Sequence, residues 1–384
     1  MNIGCMTYRH LGAYSDLVDE ARRQHPLFPL AVPGRDTQRR VREVLGWCDR
    51  PEQVQDMRVV RTWQKDGLQG EELSWSVGYG PRTAAWLFKP AGARGALPAV
   101  LALHDHGGFK YYGKEKIAEG PTSPEPVLQA WWDKSYGGRP WVNALAREGF
   151  VVLVHDTFLW GSRGFTVDDM RQTVGAGAGE IRAASDDLAG GWPPAVADYN
   201  ALTGPHEHIV AKYCNLLGAS FPGVVAHEDR IALNYLRSRP DVTAERVSCM
   251  GLSGGGNRSG LLRATADGLH AAVVVGLMST YAGLLDRHTA VHTWMMFPFG
   301  WSRYGDWPDL VACRAPAPLL VQYDLDDDLF TVAGMRDADA RLRQLYQVAG
   351  NERAYTGQFY PGPHKFDQPM QAAAFAWLQS LTER

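Results

Sequence analysis

The stretch "RVSCMGLSGGG", residues 246–256, decides the fold. Its apolar first half runs into Gly251, Leu252, Ser253, Gly254 and Gly255, the pattern Gly-x-Ser-x-Gly. A serine so placed sits on a strained turn between strand and helix, and glycines two before and two after let the two backbones pass closely. The spacing therefore predicts a strand, a tight turn carrying Ser253, and a helix whose first N–H groups can face a developing oxyanion. A plain glycine turn is the bland alternative, and the surroundings of the stretch discriminate.

Outward from it, "LPAVLALHDHGG" (97–108), "FVVLVHDTFLWG" (150–161), "AAVVVGLMS" (271–279) and "PLLVQYDLDDD" (318–328) have the same texture: a short apolar run ending in polar residues. Helix-length segments separate them, which predicts an α/β fold with a mostly parallel central sheet flanked by helices. Upstream, "MRVVRTWQ" (57–64), "ELSWSVGYG" (72–80) and "TAAWLFKP" (83–90) read as antiparallel strands. "HEDRIALNYLRSRPD" (227–241) is helical up to Pro240, and "GMRDADARLRQLYQVAG" (334–350) up to Gly350. In the last segment Met370, Ala373, Trp377 and Leu381 form a stripe at helical spacing. Residues 1–56, as in "DTQRRVREVLGWC" (36–48), read as an N-terminal helical extension, and 57–384 as the catalytic domain. Within that domain 160–225, with "GAGAGE", "GGWPP" and "GPHEH", shows no clean period and is expected to be an insertion or lid.

With 384 residues, 45% hydrophobic and 21% charged, the chain has ample apolar material for a globular core. A net charge of −3 offers no basic field for phosphate backbones, so no nucleic acid is expected. The apolar runs are too short to span a bilayer and the start lacks a basic, then apolar, leader, so no membrane is expected either. Five scattered cysteines show no metal or redox spacing and read as free thiols of a cytoplasmic protein. A second copy of the chain is the one protein partner left open.

A serine hydroxyl is a poor nucleophile until a base takes its proton, and on this strand order the acid and then the histidine follow the serine. "DLDDDLF" (324–330) places Asp324, Asp326, Asp327 and Asp328 in a loop after the last strong strand, and "PGPHKF" (361–366) places His364 in a Pro/Gly loop before the final helix. Glycines in "LALHDHGGFKYYG" (101–113) suit the second oxyanion donor. The rival there is a metal: His104 and His106 form a His-x-His pair, with His206, Glu207, His208 and His227 as further ligands. No recognised ligand spacing joins them, so no metal is expected. Ser220 in "GASFPG" lacks the second elbow glycine and reads as structural.

Taken in order, "HDHGG", "HDTFLWGSR", "GLSGGG", "PLLVQYDLDD" and "PGPHKF" resemble the α/β-hydrolase fold, in particular its dienelactone-hydrolase and acetyl-xylan-esterase-like branch, over about 57–384. The resemblance implies Ser253 as nucleophile, His364 as general base and Gly254 with Gly107 and Gly108 as the oxyanion region. The family pattern puts the acid three residues beyond the position that here is Asp324, which is Asp327. Many relatives carry glycine where this chain has Asp324. Phe109, Tyr111, Trp160 and Trp294 lie near these loops and are expected to line the substrate pocket. Arg163 and Arg258 could meet a substrate carboxylate, with structural pairing favoured for each. The expectation is a serine hydrolase of small-molecule carboxylic esters, acting through an acyl-enzyme without a cofactor. A peptidase or amidase on the same triad is the alternative, and a noncatalytic binding protein on the same fold a more distant one.

Overall fold

The computed structural model describes residues 8–47, 51–174 and 191–382. Its strands are β1 (Gln55–Lys65), β2 (Leu68–Ser76), β3 (Thr83–Pro90), β4 (Leu97–Ala102), β5 (Val151–His155), β6 (Val242–Leu252), β7 (Ala272–Val275), β8 (Leu319–Asp324) and β9 (Tyr355–Tyr360). They form one nine-stranded sheet in the order β1-β2-β3-β5-β4-β6-β7-β8-β9. Pairing is antiparallel from β1 to β5 and parallel from there to β9. The helices are α1 (Leu17–Gln24), α2 (Arg35–Leu45), α3 (Pro126–Ser135), α4 (Trp141–Arg147), α5 (Val167–Val174), α6 (Pro194–Leu216), α7 (Phe221–Ser238), α8 (Gly254–Thr265), α9 (Trp307–Ala312), α10 (Val332–Val348) and α11 (Gln368–Thr382).

The parallel strands are apolar on both faces because helices cover both faces. Leu101, Leu153, Cys249, Val274 and Val321 point into one core with α7, α8 and α10. Their neighbours Val100, Val152, Met250, Val273 and Leu320 point into the other, with α3, α4 and α11. β1 is an edge strand, largely exposed, and Arg58, Arg61 and Lys65 discourage further pairing there. The N-terminal extension is tied into the body: Val41 and Leu45 of α2 are fully buried in the first core, where each contributes about 1.5–3 kcal/mol.

Three expectations need correction. The 160–225 stretch is helical in much of its described part, as α5, α6 and the start of α7, with 175–190, including "GAGAGE", outside the described residues. Its period is blurred because α6 carries Pro205 in its interior and packs on several sides. β9 is a half-buried strand beside β8 where the sequence predicts none: paired on one side only, it shows no full apolar run. The stripe on α11 is Met370, Gln371, Ala374, Phe375 and Leu378, because Gln371 turns inward to donate to Tyr136 O and Phe366 O and shifts the buried face by one residue.

The chain leaves β4 to one side for β5 and returns on the other as β6, so the strand order reverses between β4 and β6. Open α/β sheets bind ligands at such a switch point, beyond the carboxyl ends of the strands.

Candidate active site

Ser253 stands at that point, between the end of β6 and the first residue of α8, with φ 57° and ψ −122°. A non-glycine residue in that conformation is strained, and the strain persists only where the surroundings over-determine it. Here a β-carbon on Gly254 would stand 2.7 Å from His106 Cβ, and one on Gly251 or Gly255 would strike the Leu103 carbonyl. Ser253 N–H donates to Val275 O at 2.9 Å, and Ser253 O accepts Asn257 N–H at 2.9 Å. The glycines of the motif are thus demanded by the close passage of β4, β6 and α8.

Of the four aspartates at and after the end of β8, Asp326 and Asp328 are exposed, while Asp324 and Asp327 are buried. Asp326 braces the histidine loop by accepting Gly362 N–H at 2.7 Å. Asp327 reaches the histidine: His364 Nδ1–H donates to its Oδ2 at 2.6 Å, and its Oδ1 accepts Leu329 N–H at 2.9 Å. Burial alone would push the His364 imidazolium down, but the Asp327 hydrogen bond and charge, with the charges of Asp324 and Asp105, hold it above its ordinary value. His364 Nε2 is buried and has no partner among the described residues. The ring lies beside the elbow: a β-carbon on Gly276 would stand 2.9 Å from Leu252 Cδ1 and 3.1 Å from His364 Cε1.

The turn after β4 passes against Gly254, the residue that follows the serine. His106 N is the closest backbone donor of that turn to Gly254. Gly108 N–H is taken by His106 Nδ1 at 3.1 Å, and Gly107 is packed against Trp131 and the Asp105 carboxylate. In this turn it is His106, rather than Gly107 or Gly108, that passes closest to Gly254. Three buried groups hold the turn. Lys116 Nζ donates to Asp105 O at 2.5 Å and His106 O at 3.2 Å and pairs with Asp105 Oδ2 at 3.1 Å. Tyr136 OH donates to Asp105 Oδ1 at 2.5 Å. Burial pushes Lys116 down to about 8 against the Asp105 charge. Glu207 of α6 accepts His106 Nε2–H at 2.8 Å and pairs with Lys110 Nζ. None of these partners is visible in a local pattern.

His106 is spent between Glu207 and Gly108 N–H, whereas buried His104 has Nδ1 3.1 Å from Asp105 O and an Nε2 without a hydrogen-bond partner among the described residues. Among the expected pocket aromatics, Tyr111 and Trp294 are partly exposed, at 39% and 37%. Phe109 and Trp160 are buried and need correction. Phe109 stacks on Trp192 with centroids 4.7 Å apart, and Trp160 packs edge-on against His106. Arg163 pairs with Glu228 and Arg258 with Asp229, all four buried, so neither faces a pocket. Ser220 caps α7, accepting Gly223 N–H at 3.1 Å and donating to Leu45 O at 2.7 Å.

No family model matches the chain. The candidate hydrolase YtaP of Bacillus subtilis (strain 168) is 23% identical over 282 residues, covering 71% of this chain and 75% of that protein. A candidate acetyl xylan esterase of Bacteroides fragilis NCTC 9343 superposes with a TM-score of 0.67 at 14% identity, over 97% of this chain and 96% of the other. Methylesterase BT1017 superposes with a TM-score of 0.58 at 18% identity, over 91% of this chain, which spans 63% of that protein's length. The chain has the α/β-hydrolase fold of these proteins, as the strand order and elbow require.

Proposed function

We propose that this protein is a serine hydrolase of small-molecule carboxylic esters. Ser253 Oγ adds to the ester carbonyl while His364 Nε2 takes its proton, and Asp327 keeps the imidazole in the Nδ1–H tautomer and stabilises the imidazolium. The N–H groups of Gly254 and His106 receive the oxyanion, the protonated His364 gives its proton to the leaving alkoxide, and the histidine then activates water to release the acid. No step calls on a cofactor.

The observation that carries this reading is the 2.6 Å bond from His364 to Asp327, with Nε2 unpartnered, beside a serine in the strained elbow. The names of the relatives, a methylesterase and a candidate acetyl xylan esterase, favour esters over amides. A cytoplasmic setting is proposed with it, supported by Cys214, Cys249 and Cys313, which are buried free thiols. Cys5 and Cys48 lie outside the described residues. Among those residues no single helix is long and apolar enough to cross a membrane; α6 and α7 pass that test only as a pair bent by 84°, and α7 is buried almost throughout.

A fluorophosphonate probe should label Ser253 alone, and Ser253→Ala should abolish both labelling and turnover of nitrophenyl acetate. Labelling of Ser220, or full turnover in the alanine variant, overturns the assignment. Faster cleavage of aminoacyl nitroanilides than of nitrophenyl esters overturns the substrate class.

A further inference from the structure

Asp324, which closes β8, is only 1% exposed. Its Oδ2 accepts Lys365 N–H at 3.2 Å, and its Oδ1 is buried without a partner among the described residues. Asp324, Asp327 and His364 each place one polar side-chain atom within 4.8 Å of the other two. A β-carbon on Gly276 would meet Asp324 Oδ2 and His364 Cε1 at the same 3.1 Å, so both groups border one small space at the end of β7. The imidazole thus has two buried carboxyls for neighbours, and only one of them is hydrogen-bonded to it.

The charged and titratable groups facing this pair come from every element around it. They are Asp327 of the acid loop, His364 and Lys365 of the histidine loop, Asp105 of the turn after β4, and His292, which lies within the field of Asp327 and His364. Burial pushes Asp324 up to about 7, with the Asp327 charge acting in the same direction against Lys365 N–H and the His364 charge. Two such interacting groups titrate together rather than singly.

We propose that Asp324 is a second acid for His364: a positioning residue that anchors the histidine loop through Lys365 N–H and sets a second negative charge beside the imidazolium. The inference rests on His364 being the base of the proposed reaction. When Asp324 is ionised, two carboxylates stabilise the imidazolium formed as Ser253 adds to the ester; when it is protonated, Asp327 does so alone. A neighbouring negative charge favours the charged imidazole, so its removal lowers the pKa of His364.

The full chain labelled with carbon-13 at histidine Cε1, titrated in buffer containing EDTA, reads this directly, with the His364 signal assigned as the one missing from His364→Gln. Asp324→Asn keeps an acceptor for Lys365 N–H and removes the charge. It should lower the His364 midpoint by on the order of 0.5–1 pH unit and move the acid limb of kcat/KM down by the same amount. Asp327→Asn also removes a charge that helps hold Asp324 up, so in that variant the residual rate should gain a rise with pH as Asp324 ionises, at lower pH than in the wild type, and the double variant Asp324→Asn/Asp327→Asn should lack that component. Asp324→Ala, which also removes the acceptor, should lower kcat at every pH. An unmoved His364 midpoint in Asp324→Asn overturns the inference, as does a residual rate in Asp327→Asn that does not depend on Asp324. Failure of the underlying reading is distinguishable: His364→Gln would then turn over normally, whatever the NMR midpoints.

Discussion

His106 Nε2–H donates to Glu207 Oε2 at 2.8 Å, and this bond ties the turn after β4 to α6, 101 residues farther along the chain. Glu207 is the hub of a buried cluster, because its other oxygen accepts Thr293 Oγ1–H at 2.6 Å and Trp294 N–H at 3.1 Å, and Lys110 Nζ pairs with it. One carboxylate therefore positions a proposed oxyanion donor and the loop that carries a candidate substrate aromatic.

Replacing Glu207 by Gln keeps the shape and leaves the Lys110 ammonium buried without its counter-charge. The expected cost is about 3–5 kcal/mol of stability, with a fall in kcat/KM as the His106 turn loosens. Burial would raise the Glu207 carboxyl, but the charges and hydrogen bonds of Lys110 and His106 hold it well below 4.5. A group depressed in this way contributes stability above its unfolded value and loses it as pH falls through its folded value. Urea melts of the wild type should weaken below about pH 4.5, and Glu207→Gln should show a flatter dependence in that range. Equal slopes for the two proteins would refute the role of Glu207.

Asp327→Asn should fold normally and lose on the order of 10⁴-fold in kcat, because the amide offers His364 neither an anion nor the right tautomer partner. Asp326→Asn and Asp328→Asn should stay near wild type, since both side chains are exposed and the amide oxygen at 326 can still accept Gly362 N–H. Collapse of activity at 326 or 328 with a working Asp327→Asn would place the acid elsewhere in the loop.

Phe109 and Trp294 should separate by phenotype. Phe109 is fully buried in an aromatic cluster, so Phe109→Ala should lower stability by about 3–5 kcal/mol. Trp294 keeps 37% of its surface exposed, with Nε1–H donating to His208 Nδ1 at 2.8 Å. Trp294→Ala should therefore raise KM with a small change in thermal midpoint. A stability loss at 294 that matches the loss at 109 would assign Trp294 to the core as well.

Much of the fold was legible because its signals are local. A strand buried on both faces must be apolar throughout, and a backbone crossing that excludes a β-carbon must be glycine, so the parallel strands and the elbow at Ser253 could be read directly. β9 was not legible: its residues 355–360 are half-buried beside a single neighbour, and "YTGQFY" carries no pattern that distinguishes an edge strand from a loop. Helix α6 escaped for a related reason, since Gly204 and Pro205 sit inside it and tertiary packing outweighs their low propensity.

By itself the sequence determined the layered sheet, the strained serine and the order serine, acid loop, histidine, because each is imposed by short-range sterics or by chain order. Composition and chain order left the four aspartates equivalent, the family resemblance pointed to Asp327, and only the tertiary structure shows which carboxylate is hydrogen-bonded to His364. Asp324, Asp326, Asp327 and Asp328 are chemically alike, and only the path of the loop against β9 and the histidine buries 324 and 327 while leaving 326 and 328 in water. It also brought His106, rather than Gly107 or Gly108, closest to Gly254, and joined Lys116 to Asp105 and Glu207 to His106. A charged group deep in a protein must find its partner in space, and the separation of two partners along the chain carries no trace of that choice.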